Sequence, residues 1–597
     1  MPSTWLRNLL PQRSSPRKFA YEPVLRAELF SAEQMADHGH LLARQHQLSP
    51  RSTSAALLVR LDDNEALLVH SCSMLGEVPP ATRRATPAAE WLLDNFYLIE
   101  EQIRTARKHL PQGYSRQLPR LAGGPSSGLP RVYDIALETI SHGDGRVDSD
   151  SLSLFVASYQ TVMPLTLGEL WAIPIMLRLA LIENLRRVAS QVMANWDDRN
   201  LANDWADRLH ETAEHDAKSV LLTVADMARS QPPMTSSFVA ELARRLQGQS
   251  AALILPLTWI EQTLGESGLN IERLVQLDAQ QQAAEQVSIS NSINSLRKLS
   301  AIDWRSFVES MSRVEQVLQE DPAQVYPHMD FATRDHYRHV IERLARQCAH
   351  SEEEVARATV DLAGNAATGV GAHVGFYLLG EGLGELERRL DARIPPSEAW
   401  QRLLRRAPLT FFLLPVLILS VLLAWPFLTV AQANGVSGGL LALLGVPALL
   451  MTSCLALGLV NWLVTLTVPP HILPRLDYGA GIPEQARSLV VVPTLMGCAR
   501  DVEELVEGLE VRFLANRDAN LHFALLTDFM DAPSEVLEQD AALLVLAREL
   551  IEALNHKYPP VGAERFYLLH RPRRWNPAEG VWMGHERKRG KLAAQQG

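Results

Sequence analysis

The sequence predicts a mainly α-helical chain in three parts: a large cytosolic helical region, a two-helix transmembrane hairpin, and the start of a doubly wound α/β domain. Three observations carry this prediction. Leu- and Ala-rich segments with apolar residues at i, i+3, i+4 and i+7 fill most of 56–400. A run of 68 residues, 407–474, then contains no Asp, Glu, Lys or Arg. Beyond it, short β-branched runs alternate with helical stretches, the pattern of βαβ units.

The chain has 597 residues, 47% apolar and 21% charged, enough to bury several cores; this excludes disordered, collagen-like and disulfide-scaffold classes. Its net charge of −11 argues against a nucleic-acid coat, and no nucleic-acid partner is expected. Cys72, Cys348, Cys454 and Cys498 stand far apart, with no CxxC and no His-rich partner spacing. Neither a disulfide framework nor a structural zinc site is expected, which suits a reducing cytosol.

Residues 1–55 are rich in Ser, Pro, Arg and Gln and read as a loosely ordered lead-in, with room for a short helix over 28–47. The only apolar patch near the start, 5–10, is too short for the hydrophobic region of a signal peptide, so the helical region is not expected to be exported. Within 56–400, the apolar spacing of 91–103 and 165–193 predicts long helices, and turn formers at 121–130, 143–150 and 231–234 separate them. Gly369, Gly371 and Gly375 lack the GxGxxG spacing and a preceding strand, so they predict a helix-breaking turn rather than a phosphate loop. Glu100 and Glu101, like Glu352, Glu353 and Glu354, read as solvated helix faces rather than paired catalytic carboxylates.

The charge-free run divides at Ala433-Asn-Gly-Val-Ser-Gly438 into 408–431 and 440–468. Each part exceeds the roughly 20 residues that cross a hydrocarbon core. Pro415, Pro426 and Pro447 lie inside these spans, and Trp425 and Trp462 are placed to meet the interfaces. Arg402, Arg405 and Arg406 precede the first span and Arg475 follows the second, while the connection is uncharged. The excess of positive charge at the flanks puts both ends in the cytoplasm, with a lipid bilayer between.

In 487–597 the pattern predicts a strand at 488–494, a helix at 500–514, a second strand at 521–528 with an acid at its end, a helix at 541–557 and a third strand at 565–570. Ligands of such sheets bind outside the carboxyl ends of the strands, where Thr494, Asp528, Asp531 and the residues after His570 fall. The tail 565–591 adds eight cations, Arg565, Arg571, Arg573, Arg574, Arg587, Lys588, Arg589 and Lys591, against Glu579 and Glu586. Carboxylates that accept from base and ribose, beside cations that hold a diphosphate leaving group, are what a nucleotide-sugar site needs. The same charges also suit a surface resting on anionic lipid headgroups.

Three separated stretches carry a resemblance. They are Pro87-Ala-Ala-Glu-Trp-Leu-Leu-Asp-Asn-Phe-Tyr-Leu-Ile-Glu-Glu-Gln-Ile103, then Leu165-Thr-Leu-Gly-Glu-Leu-Trp-Ala-Ile-Pro-Ile-Met-Leu-Arg-Leu-Ala-Leu-Ile-Glu-Asn-Leu185, and a C-terminal set. That set comprises Phe523-Ala-Leu-Leu-Thr-Asp-Phe-Met-Asp-Ala-Pro533, Trp575-Asn-Pro-Ala-Glu-Gly-Val-Trp-Met-Gly584 and Glu586-Arg-Lys-Arg-Gly-Lys-Leu592. In this order they resemble the N-terminal portion of bacterial cyclic β-1,2-glucan synthases, over about 55–592. The resemblance implies an inner-membrane protein whose α/β domain is an A-type glycosyltransferase. It further implies UDP-glucose as donor, a growing protein-linked β-1,2-glucan that is cyclised, and Mg²⁺ or Mn²⁺ at the diphosphate.

By resemblance to processive A-type transferases, Pro493 and Thr494 correspond to the strand end near the uridine and Asp528 and Asp531 to the acid that meets the base. Lys588-Arg-Gly590 corresponds to a Lys-x-Gly segment at the nucleotide. The metal-binding Asp-x-Asp, the base Asp and the Gln-x-x-Arg-Trp acceptor motif follow this point in the family and do not occur in 487–597. His585 stands where the family usually has Trp, and the helix expected at 593–597 gives way to Ala-Ala-Gln-Gln-Gly. Members of the family also glucosylate themselves; Tyr558 and Tyr567 lie in the tail, and nothing in their surroundings selects either. These departures predict a polypeptide without transfer activity on its own, with a membrane-anchored helical scaffold or assembly module as the alternative.

Overall fold

The computed structural model describes residues 22–49, 56–77, 86–110, 117–265, 267–366, 369–468, 473–559, 563–584, 586 and 589–591. It divides into two compact units, 1–326 with 336–411 and 327–335 with 412–597.

The first unit is built on one helix, Leu167–His215, of 49 residues. Its start is fixed chemically: the Thr166 hydroxyl accepts from the Glu169 N–H while the Glu169 carboxylate accepts from the Thr166 N–H, a capping box. From Leu170 to Val192 its apolar residues are buried on nearly every side, because helices pack around it rather than along one stripe. The 91–103 segment forms two helices instead of one, Pro87–Asp94 and Phe96–His109. Asn95 breaks it: its side chain donates to the Trp91 carbonyl at 2.9 Å and accepts from Arg297, offering the backbone an alternative to the helix ladder.

Part of the stretch read as a lead-in belongs to this core. The helix Ala32–Gln45, inside the expected 28–47, buries Met35, Leu42 and Ala43, and Ser31 and Gln34 cap it reciprocally. Just beyond, β1 (Leu48–Ser49) pairs antiparallel with β2 (Arg120–Leu121). Residues 1–21 and 50–55 lie outside the described residues. All four cysteines are free thiols, and at Gly369 the backbone takes φ +90° in a turn, as expected for a helix breaker.

Glu352 is not the solvated side chain its sequence context suggests. It is half-buried and accepts from the Leu167 N–H at 2.8 Å, reaching an otherwise orphan donor at the start of the long helix. Burial, together with the Glu342 and Glu169 carboxylates, pushes its carboxyl up to about 7. Between the ordinary 4.5 and about 7 the folded chain therefore holds a proton that the unfolded chain has lost, so stability falls as pH rises through that window. Glu352→Gln keeps an acceptor for Leu167 and cannot ionise. We expect it to raise stability at pH 8 by on the order of 1–3 kcal/mol and to flatten the decline between pH 4.5 and 7. Melting midpoints of parent and variant at pH 5 and pH 8 test this, and equal gains at both pH values would contradict it.

In the second unit, Pro408–Ala433 and Gly439–Thr467 match the expected hairpin within two residues at each end; residues 408–411 fall in the first unit by contact. Small residues meet between the helices: Ser420, Ala424, Thr452 and Ala456 are buried, and the Thr452 hydroxyl donates to the Ser420 carbonyl at 3.0 Å. Leu417, Phe427, Leu443, Met451 and Leu455 point outward, exposed. A face this apolar suits hydrocarbon rather than water, and both helices are long and apolar enough to cross a membrane.

The α/β part holds a parallel sheet of β3 (Ser488–Met496), β4 (Leu521–Phe529) and β5 (Phe566–Arg571), in that order. Its crossover helices, Ala499–Ala515 and Asp540–Lys557, pack against each other on one face of β4, the face of Phe523, Leu525 and Phe529. Two crossovers of one hand stepping in one direction place both helices on one side. The opposite face carries Ala524, Leu526 and Asp528. The first strand is less buried than its apolar run suggests: Leu489 is 43% and Leu495 39% exposed. The reason is position, since β3 is an edge strand among the described residues, which also accommodates Pro493 within it.

Candidate functional site

The carboxyl ends of the three strands converge on one carboxylate. Asp528 lies on β4 directly opposite Arg571 of β5, and the sheet register alone brings the two side chains together. Arg571 holds it with two parallel bonds, Nε to Oδ1 at 3.1 Å and Nη2 to Oδ2 at 2.9 Å. Lys591, from the tail, approaches Oδ2 at 3.3 Å and donates from the same ammonium to the Thr494 carbonyl at the end of β3. One lysine thus ties the ends of β3 and β4. Asp528 is 1% exposed. Burial pulls the Lys591 ammonium below its usual range, and the Asp528 carboxylate works against that shift.

Gly584 closes the cluster. A Cβ there would stand 2.1 Å from Asp528 Oδ2 and 3.1 Å from Arg571 Nη2, so only glycine allows the chain to pass this close to the ion pair. The two C-terminal motifs meet here: β6 (Arg574–Asn576) and β7 (Val581–Met583) form a hairpin, and Trp582 and Ala532 exchange two backbone hydrogen bonds at 2.9 Å. Arg573 fixes the loop after β4. It is 4% exposed, donates to the Met530 carbonyl at 2.6 Å, pairs with Asp540 and lies over the Phe529 ring at 4.9 Å. Asp531 stands exposed in that loop. On the helix-covered face, Thr527 bonds the His570 ring at 2.9 Å, and burial lowers the basicity of that ring while Asp528 opposes the change.

Of the residues read from the sequence, Thr494 and Asp528 are brought together through Lys591, Pro493 precedes Thr494 on β3, and Gly590 is next to Lys591 in the tail. Lys588 and His585 lie outside the described residues. The cation that reaches Asp528 from the tail is Lys591, one position after Gly590. Arg571 and Arg573 serve internal carboxylates, whereas Arg574 and Arg589 are exposed.

This arrangement does not fit Mg²⁺ or Mn²⁺. Both oxygens of Asp528 already face cations, and one carboxylate between Arg571 and Lys591 leaves a net positive cluster that repels a divalent ion. The cluster instead fixes the geometry of the strand ends.

No protein-family model matches the chain. Across 98% of its length the chain is 34% identical to the cyclic beta-(1,2)-glucan synthase NdvB of Rhizobium meliloti (strain 1021). The chain is similar to that glucan synthase along nearly its whole length. It spans 21% of the synthase's own length. The similarity to the synthase runs through the helical unit, the hairpin and the α/β part alike and is not confined to the membrane segment.

Proposed function

We propose that the chain is the donor-binding portion of a membrane glucan synthase: it binds UDP-glucose at the carboxyl edge of β3, β4 and β5 and serves glucosyl transfer to a growing β-1,2-glucan that is later cyclised. The observation that carries this reading is the convergence of Thr494, Asp528 and Lys591 at that edge, in a chain similar along nearly its whole length to a cyclic β-1,2-glucan synthase. In this reading Asp528 is a positioning residue that sets Arg571 and Lys591. Thr494, Asp531, Lys588 and Gly590 contact the nucleotide, and Arg574 and Arg589 face its diphosphate. The hairpin lies in the bacterial inner membrane with both flanks cytoplasmic, supported by Arg402, Arg406 and Arg475 and by a connection without charge.

Neither Asp-x-Asp nor Gln-x-x-Arg-Trp occurs in 487–597. We therefore expect saturable binding of UDP-glucose to the detergent-solubilised chain, with no UDP released above a mock preparation when Mg²⁺ is present. UDP release above mock would overturn the absence of turnover. Failure to bind UDP-glucose would overturn the donor-binding role and leave the membrane-anchored helical scaffold in its place.

A further inference from the structure

In the helical unit, two histidines and a glutamate from segments a hundred residues apart point their ligand atoms at one spot. His38 comes from the helix Ala32–Gln45, and Glu138 and His142 lie one turn apart on the helix Arg131–His142. His38 Nε2 is 2.8 Å and His142 Nε2 3.3 Å from the same oxygen, Glu138 Oε2, and all three ligand atoms lie within 4.8 Å of one another.

The proton on His142 can be placed. Its Nδ1 is 2.7 Å from the backbone carbonyl of Glu28, which only accepts, so Nδ1 carries the hydrogen. In the neutral ring, Nε2 then presents a lone pair to a carboxylate oxygen, two acceptors face to face. A cation between them resolves the conflict. The backbone bond to the far nitrogen is also the outer-shell contact that orients metal-binding histidines. The ring is held from above as well: Phe30 stacks on His142 at 3.8 Å, meets His38 edge-on at 5.5 Å, and Phe155 lies parallel to His38 at 6.1 Å.

We propose that His38, Glu138 and His142 form a binding site for a divalent transition ion of the zinc and cobalt class, with the fourth position open. Two imidazoles and one carboxylate are a donor set such ions take, and ligands about 2.0–2.1 Å from a tetrahedral ion stand about 3.3–3.4 Å from each other. The His142 to Glu138 separation already has that value, and the His38 pair must open by about half an ångström. Glu138 also lines a cavity of about 560 Å³ with Asp134, Gln45 and Ser141, which gives an ion a path from solvent. Glu138 and His142 are four residues apart on one helix, whereas His38 is contributed from across the fold.

The test is titration of the metal-stripped, untagged full chain in detergent with Co²⁺ and Zn²⁺. We expect one equivalent of Co²⁺ bound with the intense visible absorption of a low-coordinate site, and displacement by Zn²⁺. Glu138→Gln, His38→Gln and His142→Gln should each weaken Co²⁺ binding about 10-fold or more with an unchanged circular dichroism spectrum. No stoichiometric binding of either ion by the parent chain, or octahedral Co²⁺ absorption alone, overturns the proposal without recourse to any variant. Equal affinity in parent and folded variants, as adventitious binding at other histidines would give, overturns it too.

Discussion

Asp528→Ala is expected to destabilise the α/β part of the second unit by about 3–5 kcal/mol, the range for removing one partner of a buried ion pair. The loss of attraction is the smaller part of this. Lys591 is 4% exposed and Arg571 is held against the same carboxylate, so the variant leaves two cations at the strand ends without their shared anion. The cavity left by the side chain does not restore water to them fully. A second consequence separates electrostatics from packing. Burial already lowers the Lys591 ammonium below its usual range, and Asp528 is the group that opposes this. Without Asp528, Lys591 sheds its proton at lower pH, so the penalty of the variant should shrink as pH rises. Adding Lys591→Met should recover part of the loss, because it removes one of the two stranded charges. Hydrogen exchange of β4 and β5 amides reads out this region separately from the helical unit. A loss below about 1 kcal/mol, or no recovery in the double variant, would show that the cluster does not fix the strand ends. Arg571 must follow Asp528 in this respect, and the crowding at Gly584 points the same way, since any side chain there would meet the same carboxylate.

The elements of the fold were legible wherever a short-range pattern dictates them. Short apolar runs and 3.6-residue apolar spacing located β3, β4, β5 and their two helices to within about two residues, and the absence of charge located Pro408–Ala433 and Gly439–Thr467. The misjudged positions depend on what surrounds a segment. The openness of β3 follows from its place at an edge, and the burial of Glu352 follows from a helix start 185 residues away. The candidate site divides in the same way. Thr494 and Asp528 were readable because strand ends in a parallel sheet are readable. Arg571 is opposite Asp528 only by sheet register, and Lys591 comes from a stretch beyond the three strands. The signal that could have found Lys591 was present as the cation beside Gly590. The His38, Glu138 and His142 cluster had only one sequence trace, the four-residue spacing of Glu138 and His142.

Glu183→Ala should have the largest effect in the helical unit, again about 3–5 kcal/mol. Glu183 lies in one of the stretches that resemble the synthases, in the middle of the long helix, and it is completely buried. An isolated carboxylate there would not ionise. Burial opposes its charge, but the Arg60 guanidinium, with Arg186 behind it, holds the carboxyl well below the usual carboxylate range. Arg60 donates to both oxygens, at 3.0 and 2.6 Å, Arg186 and Arg187 donate at 2.8 and 2.9 Å, and Asn64 donates at 2.8 Å. Five donors on one carboxylate bind the helix Ala56–Glu77 to Leu167–His215, and Glu22 closes the group from the outside by facing all three arginines. Removing Glu183 leaves three guanidinium groups with Glu22 alone, and two of them, Arg186 and Arg187, are at most 14% exposed. Glu183→Gln preserves the shape and some acceptor capacity but not the charge, so it should fall between parent and Glu183→Ala. Because the carboxyl is held low, the parent has this stabilisation in full above the ordinary carboxylate range and loses it progressively as pH falls from there toward the depressed value, so the difference between parent and Glu183→Gln should shrink through that window and vanish only in strong acid. Amide exchange in Ala56–Glu77 and in the 170–192 part of the long helix measures both effects, and a Glu183→Gln variant as stable as the parent at neutral pH would contradict the account.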